Sequence, residues 1–397
     1  MAEMNWNDRL SPAVNAIAPS GIRKFFDIAA QMDDVISLGV GEPDFVTPWS
    51  IRESCVYGLE QGYTSYTANR GMPELRQEIV NLFKRRYDVD YDYNTDVLVT
   101  VGVSEALDIA MRAILAPGDE VLIPEPCYVS YQACTILAGG VPVAVPAKIE
   151  NEFRITPEEL EEHVTPKTKA LLIGYPNNPT GAIMTRKDLL AIADFAEKHD
   201  LIVISDEIYG DLTYGEEEHV CFASLPRMKD RTIQLNGFSK AYAMTGWRIG
   251  YALGNPAVIA AMTKIHQYTM LCAPITAQIA AVEALRHGEK YMKKMVAEYD
   301  RRRRLIYDGF IKMGLECFEP KGAFYIFPSI KSTGYTSDEF AEKLLNTEHV
   351  ALVPGSAFGK CGEGHIRCSY ATSIDKISEA LNRIENFLKN HKKLKKC

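Results

Sequence analysis

The segment that decides the fold reads Asn236-Gly237-Phe238-Ser239-Lys240-Ala241-Tyr242-Ala243-Met244-Thr245-Gly246-Trp247-Arg248. It lies between two short apolar runs, residues 232–235 and 249–253, that are typical of buried strands. A lysine in this place follows the carboxyl end of a strand, where open α/β sheets bind their ligands. Because an isolated lysine is more often a solvent-exposed residue, the rest of the sequence must decide what Lys240 does.

Further apolar runs of strand length lie before this segment, at residues 97–101, 121–123, 141–145, 170–173 and 201–204. Helical or turn-rich stretches separate most of them. This alternation predicts an α/β fold in which seven strands form one mostly parallel sheet covered by helices. Two helices are expected before the first strand. One opens at Thr47-Pro48, and the other carries Leu75, Ile79, Leu82 and Phe83 on one face.

The pattern changes after Pro274 to long charged helices, followed by a mixed segment with strands near residues 323–327 and 366–369. We therefore expect a second domain to begin near residue 290. The four arginines at 301–304 lie close to Glu298 and Asp300. Such a charge pattern predicts a solvated helix face.

Composition excludes several classes of protein. The 397 residues are 47% hydrophobic and 24% charged, as in an ordinary folded protein, and the formal net charge of −8 disfavours broad binding to nucleic acids or anionic membranes. Nine cysteines without a CxxC pair favour reduced thiols and a cytoplasmic location, and the N-terminus shows no signal-peptide pattern. Glycines and prolines interrupt the charge-free residues 126–147, so no transmembrane segment is expected.

The sequence lacks the residue spacing that three common kinds of binding site require. Residues 39–44 begin like a dinucleotide-binding loop, but Asp44 stands where the third glycine is needed. Residues 355–361 have one residue too few between their glycines for the phosphate loop of an NTPase, and Cys361 follows the lysine. The eight histidines contain no HxxxH pair, so no metal site is predicted. Polar residues instead follow two predicted strands, at 174–181 and 205–210, and we expect them to converge at one edge of the sheet.

Five motifs occur in chain order: Gly-Glu-Pro-Asp at 41–44, Asn-Pro-Thr-Gly at 178–181, Asp-x-x-Tyr at 206–209, Ser-Lys at 239–240 with Arg248, and Arg367. Together they resemble the pyridoxal phosphate enzymes of fold type I, specifically the class I and II aminotransferases, over nearly the whole chain. The resemblance implies a large cofactor-binding domain over residues 48–290 and a smaller α+β domain formed by residues 1–47 and 291–397. It also implies an enzyme that moves an amino group from an L-amino acid to a 2-oxo acid through a pyridoxal phosphate Schiff base on Lys240.

The resemblance further implies roles for the residues around the cofactor ring. Lys240 shuttles a proton, Asp206 pairs with the ring nitrogen, Asn178 and Tyr209 donate to the phenolate oxygen, and Tyr128 stacks on the ring. The local sequence alone leaves other interpretations open. Asp206 could equally cap a helix, Asn-Pro-Thr-Gly is also a good turn, and Tyr128 fits a core position.

The phosphate is expected at residues 102–106, between a strand and a helix, where free backbone N–H groups face an anion. Val103 and Ser104 lie in this segment, and the Ser104 side chain adds a hydroxyl. Ser239 and Arg248 match further phosphate contacts of the family.

Two more residues concern the same phosphate. Gly237 departs from the family pattern, in which many relatives carry serine or threonine, so one hydrogen bond is expected to be missing or supplied by water. Tyr66 resembles the tyrosine that reaches the phosphate of the neighbouring subunit, which implies a homodimer.

For the substrate, Arg367 matches the arginine that binds the α-carboxylate, and Gly41 and Asn178 match its neighbours. The aspartate-specialised members use a second arginine, but this chain has His-Gln-Tyr-Thr at 266–269. Our hypothesis is that Arg23 meets a distal acidic group, and the other interpretation is a surface salt bridge. The expected substrates are acidic or N-acylated diamino acids with 2-oxoglutarate, followed by aromatic amino acids.

Two other functions stay open at this point. A carbon–sulfur β-lyase has the same fold and cofactor but releases pyruvate, ammonia and a thiol from a cysteine derivative. A non-enzymatic transcriptional regulator of this fold would need an added DNA-binding domain, and the segment before Gly39 does not resemble a winged helix.

Overall fold

The computed structural model describes residues 6–19, 32 and 34–394. Its α-helices are α1 (Pro12–Asn15), α2 (Trp49–Glu60), α3 (Pro73–Tyr87), α4 (Gly102–Ile114), α5 (Ser130–Leu137), α6 (Pro157–Glu161), α7 (Arg186–Lys198), α8 (Pro256–Thr269), α9 (Ile275–His287), α10 (Glu289–Lys312), α11 (Ser337–Glu348) and α12 (Ile374–Leu394). In the described part of the chain, no helix has both the length and the apolar character needed to cross a membrane.

The strands are β1 (Ile36–Ser37), β2 (Val97–Thr100), β3 (Glu120–Glu125), β4 (Val141–Pro146), β5 (Thr168–Ile173), β6 (Ile202–Asp206), β7 (Thr232–Gly237), β8 (Gly250–Leu253), β9 (Tyr325–Ile326), β10 (Val350–Ala351), β11 (Val353–Pro354) and β12 (Ile366–Ser369). The seven strands predicted before residue 254 form one sheet in the order β2-β8-β7-β6-β5-β3-β4. Strands β4, β3, β5, β6 and β7 run parallel, and β8 is antiparallel to β7 and β2. The predicted α/β class and mostly parallel sheet are therefore confirmed.

Helices cover both faces of this sheet. Because successive strand residues point to opposite faces, Leu172 and Ile204 pack in one apolar cluster with Met111 of α4. Their neighbours Leu171 and Val203 pack in a second cluster, with residues of α7. A sheet that is buried on both faces explains why its strands read as nearly continuous apolar runs.

The reversal between β7 and β8 determines where the lysine segment lies. Gly237 pairs with Gly250 at the end of the antiparallel ladder, and residues 238–249 connect the two strands. Lys240 therefore lies just beyond the carboxyl end of β7, as the sequence predicts. Residues 174–181 leave β5, and residues 207–210 leave β6, at the same edge.

The C-terminal third contains two small sheets. Strands β11, β12 and β9 are antiparallel, and β1 pairs in parallel with β10, so that Ile36 lies opposite Val350. The segment around β1 thus joins the C-terminal third, although it is far away in sequence. The domain limits, 48–290 against 1–47 with 291–397, stay a prediction.

The arginines at 301–304 lie in α10, and the expectation of a solvated face is wrong for two of them. Arg302 is buried between Asp44, at 2.8 Å, and Glu298, at 3.1 Å. Arg303 is buried between Asp300, at 2.8 Å, and Glu319, at 2.5 Å. Because Asp44 and Glu319 are contributed by other parts of the chain, the local charge pattern could not reveal these ion pairs.

Candidate active site

A cavity of about 560 Å³ opens at the edge of the sheet where β5, β6 and β7 end. Eleven of the residues predicted for the site line it: Gly41, Val103, Ser104, Tyr128, Asn178, Asp206, Tyr209, Ser239, Lys240, Arg248 and Arg367. Four polar residues that the sequence interpretation did not single out for this site also line the cavity: Glu42, Tyr131, Thr245 and Tyr325.

The Lys240 side chain enters the cavity and ends against the backbone of the N-terminal segment. Its Nζ donates a hydrogen bond of 2.6 Å to the Gly41 carbonyl and lies 5.6 Å from the centre of the Tyr209 ring. Burial lowers the pKa of the amine to about 8, and the nearby Arg367 and Arg248 lower it too, against the opposite effect of Glu42 and Asp206. Only the neutral amine is a nucleophile, so the site raises the reactive fraction of Lys240 near neutral pH.

Asp206 ends β6 with its carboxylate buried. Tyr131 donates its hydroxyl to Oδ2 at 2.9 Å, and the Ile208 backbone N–H donates to Oδ1 at 3.2 Å. Burial raises the pKa of Asp206 to about 6, although both hydrogen bonds act to lower it. Gly174 makes room for Tyr131, because a Cβ there would lie 2.3 Å from the hydroxyl. A turn rather than a helix follows Asp206, so the helix-cap interpretation is wrong.

Tyr209 and Tyr325 form a hydroxyl pair beside Lys240. Their oxygens are 2.8 Å apart and hydrogen-bonded, and their rings meet edge to face at 5.8 Å. Burial raises the pKa of Tyr209 well above its ordinary value, so the hydroxyl stays neutral and can donate. Gly41 leaves room for the Tyr325 hydroxyl, because a Cβ on Gly41 would lie 2.5 Å from that oxygen.

Arg367 is held on three sides. Its Nη1 donates to Asn178 Oδ1 at 3.0 Å, its Nη2 donates to the Gly39 carbonyl at 2.5 Å, and the guanidinium lies 4.5 Å from the centre of the Tyr325 ring. Burial lowers the pKa of Arg367, which still stays protonated. Its buried Nε has no hydrogen-bond partner among the described residues. An anion in the cavity would complete this set of donors.

Tyr131, Asp206, Tyr209 and Arg367 are each at most 6% exposed, and we call them the buried end of the cavity. Ser104 and Arg248 also line the cavity but are both exposed, and we call this part the open end. Helix α4 starts there at Gly102, so its first backbone N–H groups lack helical partners. The Arg248 Nη2 would lie 2.6 Å from a Cβ on Gly102, which places the guanidinium against this helix start.

Backbone packing below the open end explains the unusual Gly237. A Cβ on Gly250 would lie 2.7 Å from Gly102 C and Val103 N, and one on Gly237 would lie 3.0 Å from Gly250 Cα. The end of the β7–β8 ladder thus packs directly under the helix start with no room for larger residues. That a phosphate hydrogen bond is missing there stays a prediction.

The chain was compared with known proteins. The family described as aminotransferase class I and II matches residues 33–384. This chain belongs to that family. The Bacillus subtilis (strain 168) protein YugH is 56% identical over 379 residues, covering 96% of this chain and 98% of YugH. An aspartate aminotransferase of Pyrococcus abyssi is 50% identical over 385 residues, covering 96% and 99% of the two chains.

The solved structure of an aromatic aminotransferase from Pyrococcus horikoshii OT3 is also similar. Its TM-score is 0.89 at 47% sequence identity, covering 94% of this chain and 99% of that one. The protein is therefore a class I and II aminotransferase of fold type I that uses pyridoxal phosphate.

The cavity of this aminotransferase fits its cofactor. Lys240 offers an amine of lowered pKa to an aldehyde, and Asp206 offers a buried carboxylate to a protonated ring nitrogen. The open end offers a guanidinium and a helix start to a phosphate. Among the described residues, the buried Nε–H of Arg367 has no partner, so it could donate to a further anion.

Two further residues were predicted for the site, Tyr66 and Arg23. Tyr66 is 82% exposed and belongs to residues 63–72, which we call the Tyr66 loop. It does not line the cavity of its own chain. Arg23 lies outside the described residues.

Proposed function

We propose that this aminotransferase moves the amino group of an acidic or N-acylated diamino L-amino acid to 2-oxoglutarate, and that Lys240 forms the Schiff base. One observation carries the proposal: the Lys240 amine, the Asp206 carboxylate and the Arg367 guanidinium line one cavity. Together they supply a nucleophile, a partner for a ring nitrogen and a carboxylate anchor. The name of the Pyrococcus abyssi relative supports an acidic substrate.

Pyridoxal phosphate, when bound, supplies an aldehyde that condenses with amines and a ring that accepts the electrons of the substrate α-carbon. We assign the ring nitrogen to Asp206, the phenolate oxygen to Asn178 and Tyr209, and the ring face to Tyr128. Val103, Ser104, Ser239 and Arg248 are assigned to the phosphate. The hydrogen bonds from Tyr131 and Ile208 keep the Asp206 carboxylate in place and favour its ionised form.

Lys240 acts as the proton carrier in this proposal. Its Nζ is free to leave the Gly41 carbonyl, and with a pKa of about 8 the neutral amine can take a proton from the substrate α-carbon and return it one position away. The aromatic rings of Tyr209 and Phe324, at 5.6 and 5.4 Å, stabilise the ammonium form once the proton has arrived.

Arg367 binds and orients the α-carboxylate. Asn178 and Gly39 fix the plane of the guanidinium, so the substrate meets donors whose geometry is already set. Burial makes this pairing stronger than it would be in water. We expect the predicted small domain, residues 1–47 and 291–397, to close over the bound substrate and exclude water.

The distal carboxylate of an acidic substrate needs a cation that has no other proposed role in the cavity. Lys240, Arg248 and Arg367 are the cations that line it in the described part of the chain, and each has a role above. We therefore keep Arg23 as the distal residue. Arg23→Ala should raise the apparent KM for glutamate about tenfold, the effect of losing one charged hydrogen bond. It should change the KM for an apolar amino acid little, and equal effects would contradict the assignment.

We also propose a homodimer. Large apolar residues are exposed on neighbouring segments of one chain: Trp49, Tyr57, Tyr66, Tyr268 and Leu271. Asn69 Nδ2 donates to the Leu271 carbonyl at 2.7 Å, which links the Tyr66 loop to the end of α8. Such a surface is typical of an interface between subunits.

We also propose a cytoplasmic location, because the eight described cysteines are all free thiols.

The test is the visible absorption spectrum of the purified protein during addition of single amino acids, with Lys240→Ala as the control. A cofactor band that moves on adding glutamate and returns with 2-oxoglutarate supports the proposed substrates. A faster response to phenylalanine or tyrosine than to glutamate would overturn the acidic substrate. Release of pyruvate from cystathionine without an acceptor would instead indicate the β-lyase reaction.

A further inference from the structure

Gln278 connects the Tyr66 loop to the start of α9 through a complete set of hydrogen bonds. Its side chain is fully buried. The amide Nε2 donates to Thr67 Oγ1 at 2.9 Å and to the Ala273 carbonyl at 2.8 Å, and Oε1 accepts the Met72 backbone N–H at 2.7 Å. Two of the three bonds therefore end on the loop, one beside Tyr66 and one at its last residue.

Only an amide satisfies these partners. Thr67 Oγ1 and the Ala273 carbonyl need donors, whereas the Met72 N–H needs an acceptor. A glutamate would lose both donors and bury a charge, and a methionine would lose all three bonds. Gly71 lies beside this contact with a φ of +94°; a Cβ there would lie 2.5 Å from the Val99 side chain and 3.1 Å from Gln278 Oε1.

Further hydrogen bonds hold the Tyr66 loop at Asn69 and Arg70. Asn69 is bonded to Leu271, and Arg70 Nη1 donates to the Asn94 carbonyl at 2.6 Å. Tyr66 itself is 82% exposed and does not line the cavity of its own chain. The position of its hydroxyl therefore depends on how firmly Thr67 and Met72 are held.

We propose that Gln278 is a positioning residue that holds Tyr66 where its hydroxyl reaches the cofactor phosphate bound by the partner subunit. This inference rests on the homodimer and on the Tyr66 contact proposed above. Gln278 touches neither the cofactor nor the substrate in its own chain. Because Gln278 holds the Tyr66 loop in place beforehand, the loop loses less conformational entropy when the cofactor binds.

The test measures how tightly the apoenzyme binds pyridoxal phosphate and pyridoxal, which lacks the phosphate. Gln278→Met should raise the Kd for pyridoxal phosphate about tenfold, the order of one hydrogen bond to a charged group. The Kd for pyridoxal should stay unchanged. A residue that only supports the fold would change both values, because both ligands occupy the same cavity.

A double-mutant cycle with Tyr66→Phe separates this mechanism from general weakening. If Gln278 acts through Tyr66, the Gln278→Met change has no further effect on the Kd for pyridoxal phosphate once the hydroxyl is gone. Additive effects would overturn the inference. Gln234→Met is the matched control, since Gln234 is also fully buried but bonds to Cys221 instead of the loop. It should leave both Kd values unchanged.

If Gln278→Met does not fold, Thr67→Val removes the acceptor of one Gln278 bond from a half-buried position and should raise the same Kd severalfold. Two failures are distinguishable. If Tyr66→Phe itself leaves the Kd for pyridoxal phosphate unchanged, the proposed contact between subunits is wrong and the inference falls with it. If Tyr66→Phe weakens binding but neither Gln278→Met nor Thr67→Val does, only the role of Gln278 is wrong.

Discussion

The two ends of the cavity differ in how completely one chain builds them. At the buried end, Asp206 and Arg367 have hydrogen-bond partners and aromatic neighbours, and each is at most 6% exposed. At the open end, Ser104 and Arg248 are exposed, and the start of α4 has no side-chain cap. In the proposed assignment, a single chain therefore buries Asp206, which binds the ring, but leaves Ser104 and Arg248, which bind the phosphate, exposed.

This difference has an electrostatic consequence. A charge pair in a dry site is several times stronger than the same pair in water. Arg248 therefore contributes little while its guanidinium is exposed, and covering the open end with a second subunit would increase its effect. The comparison favours the homodimer, in which the exposed Tyr66 of one chain covers the open end of the other.

The largest effect is expected from Lys240→Ala, which removes the nucleophile and the proton carrier of the buried end together. We expect turnover to fall by at least about 10⁴, because covalent and acid–base roles are lost at once. Single-turnover absorbance with glutamate measures this. Added methylamine should restore part of the rate if proton transfer is the lost function. A variant with undiminished turnover would contradict the assignment of Lys240.

Gly250→Ala tests the open end separately. The new Cβ would lie 2.7 Å from Gly102 C and Val103 N, so the start of α4 must move. Overpacking of this kind costs about 1–3 kcal/mol, and we expect the Kd for pyridoxal phosphate to rise about tenfold or more. Pyridoxal should bind as before, because Asp206 and Lys240 are untouched. Equal weakening of both ligands would show that the two ends are not independent.

A smaller effect is expected from Tyr131→Phe, which changes only the pKa of Asp206 at the buried end. The Tyr131 hydroxyl donates to the Asp206 carboxylate, so it stabilises the ionised form and holds the pKa down. Its loss should raise the pKa of Asp206 from about 6 by about one unit. If the ionised carboxylate pairs with the ring nitrogen, as proposed, cofactor affinity should decline as the pH falls through about 7 instead of about 6.

Affinity of the apoenzyme for pyridoxal phosphate between pH 5 and 8 measures this shift. Tyr175→Phe is the matched control, since the Tyr175 hydroxyl is equally buried but donates to the Phe153 carbonyl at 2.9 Å. It should leave the midpoint in place. An unchanged midpoint in Tyr131→Phe would mean that Ile208 and the surroundings alone set the pKa of Asp206.

The sequence was sufficient to locate those site residues whose position follows from a local pattern. Lys240 and Asp206 follow apolar runs that read as strands, and parallel strands bring their carboxyl ends to one edge. Tyr131 and Tyr325 could not be found in this way. One lies in a helix and the other in a short strand of the C-terminal third, and nothing in their neighbouring residues distinguishes them from core tyrosines.

The same limit explains the error at the arginine run. Glu298 and Asp300 are visible as local partners of Arg302 and Arg303, and both do form ion pairs. The local pattern nevertheless suggested a solvated face. Asp44 and Glu319 complete the pairs from distant segments, and these contacts make burial of the two guanidinium groups tolerable.

By itself, the sequence determined the α/β sheet, the family and the position of Lys240 at the edge of the sheet, because strand periodicity and short motifs are local properties of the chain. The tertiary structure alone decided which partners tune those groups: Tyr131 on Asp206, Asn178 and Gly39 on Arg367, and Gln278 on the Tyr66 loop. The physical reason is that pKa and orientation depend on burial and on hydrogen bonds between residues far apart in sequence. Those contacts exist only once the chain has folded.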